Sequence, residues 1–245
     1  RLAEAAGVTV YEGTPVVRLD QGPTCRLVTP GGVIEAPTVV LGTNGYTHQL
    51  GLFRSGLFPL HSHVVATAPI DAAAAGWGSI SGFADDMDRI AYGARTRSGR
   101  VVFGGGSNAS YGYLYGNRTS WWGSARRGHA AVQRRLHEAL PGLAEAPITH
   151  RWTGTLAITL DRVCAIGATG AHGNLLYGFG YSGHGVVLAN VAGRVLCDLY
   201  AGEGERWRDL PFFMRAPGGI PPEPLRWVGY QAYTRLTGRS PRRPA

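Results

Sequence analysis

Residues 174–200 restrict what this chain can fold into more than any other stretch. An apolar run, Asn174-Leu175-Leu176-Tyr177-Gly178-Phe179, passes into a glycine-rich turn, Gly180-Tyr181-Ser182-Gly183-His184-Gly185. Beyond it Val187, Leu188, Val191, Ala192, Val195, Leu196 and Leu199 recur at the spacing of one helix face. A buried strand that turns directly into an amphipathic helix is a unit of α/β architecture. The glycines open backbone conformations closed to other residues and let a ligand approach the main chain. The helix start adds unpaired N–H groups and a partial positive charge, so the turn predicts a site for a group carrying negative charge.

With 245 residues and 44% hydrophobic content the chain can bury a sizeable core. No apolar run reaches the roughly 18–20 residues of a membrane span. Cys25, Cys164 and Cys197 form an odd set without metal-type spacing, so no disulfide framework is expected and the expected setting is reducing and cytoplasmic. All 24 basic residues are arginine and the formal net charge is +8. Apart from Arg239, Arg242 and Arg243 near the end they are scattered, so neither nucleic acid nor a membrane is expected as a partner.

Along the chain, Arg1–Ala6 reads as the end of a helix stopped by Gly7, and the chain is expected to begin inside a domain. Strands are predicted over 8–11 and 14–19, a hairpin over 25–29 and 33–36 around Pro30-Gly31-Gly32, and a doubly buried strand over 39–42. The latter ends in the polar turn Thr43-Asn44-Gly45. Residues 57–69, 89–94 and 101–104 read as an antiparallel sheet, 120–140 as a helix stopped by Pro141-Gly142, and 148–160 and 163–167 as strands. After Gly202 periodicity fades among prolines. The order α/β, antiparallel β plus helix, then α/β again predicts one domain interrupted by another.

Three further patterns point to other chemistry and fall short. Gly104-Gly105-Gly106-Ser107-Asn108-Ala109 matches G-x-G-x-x-A after a strand, but a loop follows it and no acid lies near position 125. His61-Ser62-His63 places two imidazoles on one side of a strand without a third metal ligand at a recognisable spacing. Gly180-Tyr181-Ser182-Gly183 approaches a nucleophile elbow, yet after Ser182 the only histidine is His184, too close to serve as the distant base of a hydrolase.

The runs VTVYEGTPVVRL, VVLGTNGYT, LFPLHSHVVATAPI, RVVFGGG, RWTGTLAITLDRVCAIG and LLYGFGYSGHGVVLANVAGRVLCDLYAG resemble, in order, the D-amino-acid-oxidase-like (DAO) family of FAD-dependent amine oxidoreductases. The segment PPEPLRW looks like the gamma-glutamylputrescine oxidase branch, near the glycine and sarcosine oxidases. The resemblance implies an α/β fold: a partial FAD-binding, Rossmann-like domain interrupted by a substrate domain with an antiparallel sheet. Its divisions would be 1–52 and 151–204 for FAD binding, 53–150 for substrate, and 205–245 as a proline- and arginine-rich tail. It further implies that Gly180, Tyr181, Ser182, Gly183, His184, Gly185 and Val186 lie along the flavin, that Thr43, Asn44 and Gly45 form a turn close to it, and that Val16 contacts the adenine. Trp152 and Gly154 would line the other side of the ring. Substrate contacts are expected from His61, Tyr92, Arg95, Trp152 and Tyr181. Gly154 stands near where covalent-flavin relatives carry cysteine, so non-covalent FAD is implied.

The implied reaction is oxidation of a C–N bond in an amine or amino acid, with hydride passing to flavin N5, the imine then hydrolysing, and oxygen or another acceptor reoxidising the flavin. The family's strand–glycine loop–helix for the FAD pyrophosphate would precede Arg1, so a missing N-terminal half is expected as a partner. Two rival readings remain open: a non-catalytic or partner-completed piece unable to bind FAD alone, and a hydrolase using Ser182.

Overall fold

The computed structural model describes residues 1–71, 81–87, 89–119 and 125–237. In chain order its elements begin with α1 (Leu2–Ala5), β1 (Arg18–Asp20), β2 (Cys25–Thr29), β3 (Gly32–Ala36), β4 (Val39–Leu41), β5 (Phe58–Thr67), β6 (Gly82–Ala84), β7 (Ala91–Arg95), β8 (Val101–Gly105) and β9 (Tyr111–Gly112). They continue with α2 (Arg126–Ala139), β10 (Ile148–Ile158), β11 (Ala165–Thr169), β12 (Leu175–Phe179), α3 (Gly185–Tyr200) and α4 (Leu225–Thr237). Two compact units result: residues 1–54 with 163–216, and residues 55–162 with 217–245.

The first unit is built on a three-stranded sheet in the order β11-β12-β4, with β12 antiparallel to β11 and parallel to β4. Every residue of β12 is buried, because its apolar run is covered on both faces. On one face Gly178 is turned toward Ala192 and Leu196 of α3, and a Cβ there would also lie 2.7 Å from the Tyr181 hydroxyl. Ala192 and Val195 of α3 pack with Cys164 and Ile166. Tyr177 and Phe179 alternate to the other face, where the Phe53 ring sits 4.7 Å from each. The hairpin of β2 and β3 forms as expected, pairing Cys25 with Ala36 and Thr29 with Gly32, and β1 adds to it as a third strand. Of the two strands predicted before it, only Arg18–Asp20 pairs; Val8, Val10 and Val17 stay 53%, 54% and 60% exposed, so their alternation finds no covered face to occupy.

The second unit holds the antiparallel sheet, in the order β10-β5-β8-β7-β6 with β9 also pairing β5. Val65, Val101 and Phe103 on one face pack against Val132 and Leu136 of α2. That helix runs over Arg126–Ala139; the predicted residues 120–124 lie outside the described residues. β10 pairs with β5 from Ile148↔Thr67 to Ile158↔Phe58. This ladder keeps residues 151–162 in the second unit, whereas the sequence placed 151–204 with the first. Nor is 205–245 simply a tail: α4 forms over Leu225–Thr237 and packs in the second unit, with Asn108 Nδ2 donating to Thr234 O at 2.6 Å.

Candidate functional site

Strands β4 and β12 run parallel and end side by side, with Tyr177 opposite Leu41. A turn follows each strand. After β4 the chain passes Thr43 and enters a 3-10 turn over Asn44–Leu50, with Asn44 at φ 41°. Thr47 Oγ1 donates to Asn44 O at 2.8 Å and lies 2.8 Å from Thr43 Oγ1, which fixes the start of that turn. After β12, Gly180 adopts φ 77° and donates its N–H to Asn44 Oδ1 at 3.2 Å. The turn Thr43-Asn44-Gly45 is therefore tied to Gly180 through Asn44. Val16 is not on a strand; it lies ahead of β1, half-buried.

Residues 180–186 form the mouth of the turn. Ser182 and Gly183 have φ 51° and 100°, and a Cβ on Gly183 would meet no atom within 4 Å. His184 donates its N–H to Tyr181 O at 2.9 Å and begins α3. Its side chain makes no capping bond and the first turn of α3 carries no acid. Neither a capping side chain nor a first-turn acid therefore offsets the N–H groups of Gly185 and Val186 and the helix dipole behind them. Beside them Val186 and Val187 are 88% and 70% exposed. An uncompensated anion-facing helix start flanked by apolar surface suits a flat ligand with an electron-rich edge. Burial pushes the Tyr181 hydroxyl up to about 12, so it remains a neutral donor. Ser182 Oγ donates to Gly180 O at 3.1 Å rather than to an imidazole, and the hydrolase reading gains no support.

Of the predicted substrate residues, Tyr181 lies in the first unit, and His61, Tyr92, Arg95 and Trp152 divide between the two faces of the second unit's sheet. Opposed residues in a ladder share a face, and Trp152 opposes Val64 while Gly154 opposes Ser62. Tyr92 opposes Gly104, which opposes Val64, and its hydroxyl lies 2.9 Å from Ser62 Oγ. Trp152, Gly154 and Tyr92 therefore share one face, floored by Ser62 and Gly104. A Cβ on Gly104 would fall 2.4 Å from the Tyr92 ring, so that glycine lets the ring lie across the sheet. His61 and Arg95 point to the other face, with Val65 and Phe103. His61 is 1% exposed, its Nε2 2.9 Å from Arg118 O and its Nδ1 3.3 Å from Thr155 Oγ1, with burial lowering its pKa. It is a buried, bonded residue, and it is not on the face that carries Trp152. Ser62 and Gly104 escaped notice in the sequence because their positions on this face follow only from the β5–β10 and β5–β8 registers.

The 104–109 glycine motif leads into a short 3-10 turn and β9, not a long helix. Among the described residues no helix is long and apolar enough to cross a membrane, and no group of three or more His, Cys, Asp or Glu is arranged to hold a metal.

Adjacent parallel strands ending in two linked turns, one opening an uncapped helix, form the crevice in which α/β proteins hold anionic ligands. The chain belongs to the family described as DAO, FAD dependent oxidoreductase, whose profile matches residues 1–199. It is 30% identical over 216 residues to a probable oxidoreductase OrdL of Rhizobium meliloti (strain 1021), spanning 83% of this chain and 45% of that protein. It is 34% identical over 127 residues to the gamma-glutamylputrescine oxidoreductase of Escherichia coli (strain K12), spanning 51% of this chain and 26% of that one. Its fold is similar to that of glycine oxidase from Geobacillus kaustophilus, with a TM-score of 0.66 at 19% identity over 89% of this chain and 56% of that chain. The chain thus spans less than half the length of the curated relatives it matches, at 45% and 26%.

Proposed function

We propose that this chain carries the flavin-facing and substrate-facing parts of an FAD-dependent oxidoreductase that oxidises the C–N bond of an amine or amino acid. The observation that carries the reading is the uncapped start of α3, tied to the end of β4 through Asn44 Oδ1 and Gly180 N–H. FAD held without a covalent link would supply the hydride acceptor, with oxygen or another acceptor reoxidising it. The residues fit such a ring: Gly183 faces open space, and Val186 offers an apolar surface beside the N–H groups of the first helical turn. Those N–H groups would hold the ring edge that gains negative charge on reduction. Thr43 and Asn44 fix the neighbouring turn. On the second unit, the Tyr92 hydroxyl and the Trp152 ring would orient the amine over the small floor of Ser62, Gly104 and Gly154. The Escherichia coli relative, a gamma-glutamylputrescine oxidoreductase, supports an amine as the substrate class. The second reading, a piece completed by a partner, rests on β4, which stands at the end of its sheet with Val40 57% exposed.

The test is a titration of the purified chain with FAD, followed by flavin fluorescence, and a visible spectrum after desalting. Saturable quenching is expected. Val186→Asp puts an acid in the first turn of α3 and should weaken binding about fivefold, the value of roughly 1 kcal/mol of lost dipole attraction. No saturable quenching would overturn binding by this chain alone in favour of a partner-completed protein. Quenching unchanged by Val186→Asp would move the flavin away from α3.

A further inference from the structure

Helix α4 turns its polar side inward. Arg226 is 6% exposed, and Tyr230 and Thr234 are half-buried, whereas Leu225, Val228 and Leu236 are 63%, 54% and 85% exposed. A surface helix ordinarily buries its apolar stripe. The inversion has a local cause: a polar cavity of about 530 Å³ lies under the helix, between Tyr111 and Tyr113 on one wall and Tyr230, Gln231, Thr234 and Arg235 on the other. That volume falls within the usual range of small-molecule sites.

Two arginines stand at the cavity: Arg235 lines it, and Arg89 acts on its Tyr230 wall. Asn108, which also lines it, accepts from Arg89 Nε at 2.8 Å. The Arg89 guanidinium lies 4.9 Å from the centre of the Tyr233 ring, and its Nη2 is buried without a hydrogen-bond partner among the described residues. A buried cationic donor left unmatched is costly, so Arg89 Nη2 favours an added acceptor. Among the described residues no acid lines the cavity. Two carboxylates beside its tyrosine walls already accept hydrogen bonds: Glu223 from the Tyr113 hydroxyl, Gly116 N–H and Trp227 N–H, and Asp85 from Ala91 N–H. Burial raises the Tyr230 hydroxyl to about 12 and raises Tyr111 and Tyr113 as well, so the aromatic walls carry no competing negative charge near neutrality.

We propose that this cavity binds a small carboxylate joined to a flat apolar body, with the rings of Tyr111, Tyr113 and Tyr230 taking the body and Arg235 and Arg89 taking the carboxylate. The site lies wholly in residues 55–162 and 217–245 and does not rest on the flavin reading.

Ligand-observed NMR titration of the full chain with 3-phenylpropanoate, without flavin, tests it. Saturable binding with a Kd of about 1 mM or below is expected, together with no saturation by 3-phenylpropylamine at the same concentrations. Arg235→Gln and Arg89→Gln should each weaken the carboxylate about tenfold, the effect of one lost charge-assisted bond. Arg235 is exposed, so its variant decides the matter even where Arg89→Gln does not fold. Absence of saturation, equal binding of the amine, or unaltered affinity in Arg235→Gln would overturn the proposal. Failure of FAD to bind leaves these readouts untouched, so the two hypotheses fail separately.

Discussion

His63 shows how one buried side chain ties the second unit to solution pH. It is 1% exposed, its Nδ1 is 2.7 Å from Thr153 Oγ1, and its ring centre is 5.2 Å from that of His129. Gly128 of α2 makes room for it, since a Cβ there would stand 2.0 Å from the imidazole Cδ2. Burial first, then the charges of His129 and His61, hold its pKa down at about 4. The fold therefore favours the neutral ring. With an unfolded pKa near 6.5, this contribution is complete above that pH and is lost as pH falls toward 4, to a limit of about 3 kcal/mol. Denaturant midpoints at pH 7 and pH 4.5 should drop further for the wild-type chain than for His63→Gln, and equal drops would overturn the assignment. The alternation His61-Ser62-His63 told in advance that both imidazoles share a side. It did not tell which side, because that depends on pairing with residues about ninety positions away, such as Thr153 opposite His63.

Among the elements, those whose burial is local were legible and those whose burial is borrowed were not. β12 and α3 carry their own patterns, an apolar run and a 3.6-residue stripe, and both formed where expected. The turns at Asn44 and Gly180 were also legible, since a polar glycine-bearing stretch after a buried strand has few alternatives. α4 was missed because its apolar residues face outward and its start is crowded with prolines, so neither period nor capping residue marks it. What holds α4 is Glu223, whose carboxylate receives the Tyr113 hydroxyl, Gly116 N–H at 2.9 Å and the first-turn Trp227 N–H at 3.1 Å. Glu223→Ala should loosen the helix by about 1–2 kcal/mol. Limited proteolysis would then cut within 217–237 sooner than in the wild-type chain, while cutting in 163–216 keeps its rate. An unchanged pattern would mean that ring packing, such as Tyr230 against Phe58 at 5.4 Å, is what anchors α4.

On the scale of the whole molecule, each unit carries uncovered apolar side chains: Val8, Val10, Val17 and Val40 in the first, and Leu225, Val228 and Leu236 in the second. The sequence could not show this, since apolar residues look the same whether or not the chain supplies what covers them. β4 is the sharpest case. Among the described residues β12 is its one strand neighbour, and Val40 on it is 57% exposed. An open strand edge with an exposed valine invites another strand, which supports the reading of a chain completed by further protein. The same edge should make the chain associate with itself when it is purified alone. Sedimentation velocity over a range of concentrations is expected to show reversible association of the wild-type chain, and Val40→Lys should shift the population toward monomer by placing a charge on the edge without disturbing a buried contact. If Val40→Lys associated as strongly as the wild-type chain, the exposed apolar residues elsewhere, and not the edge of β4, would be the surface that calls for a partner.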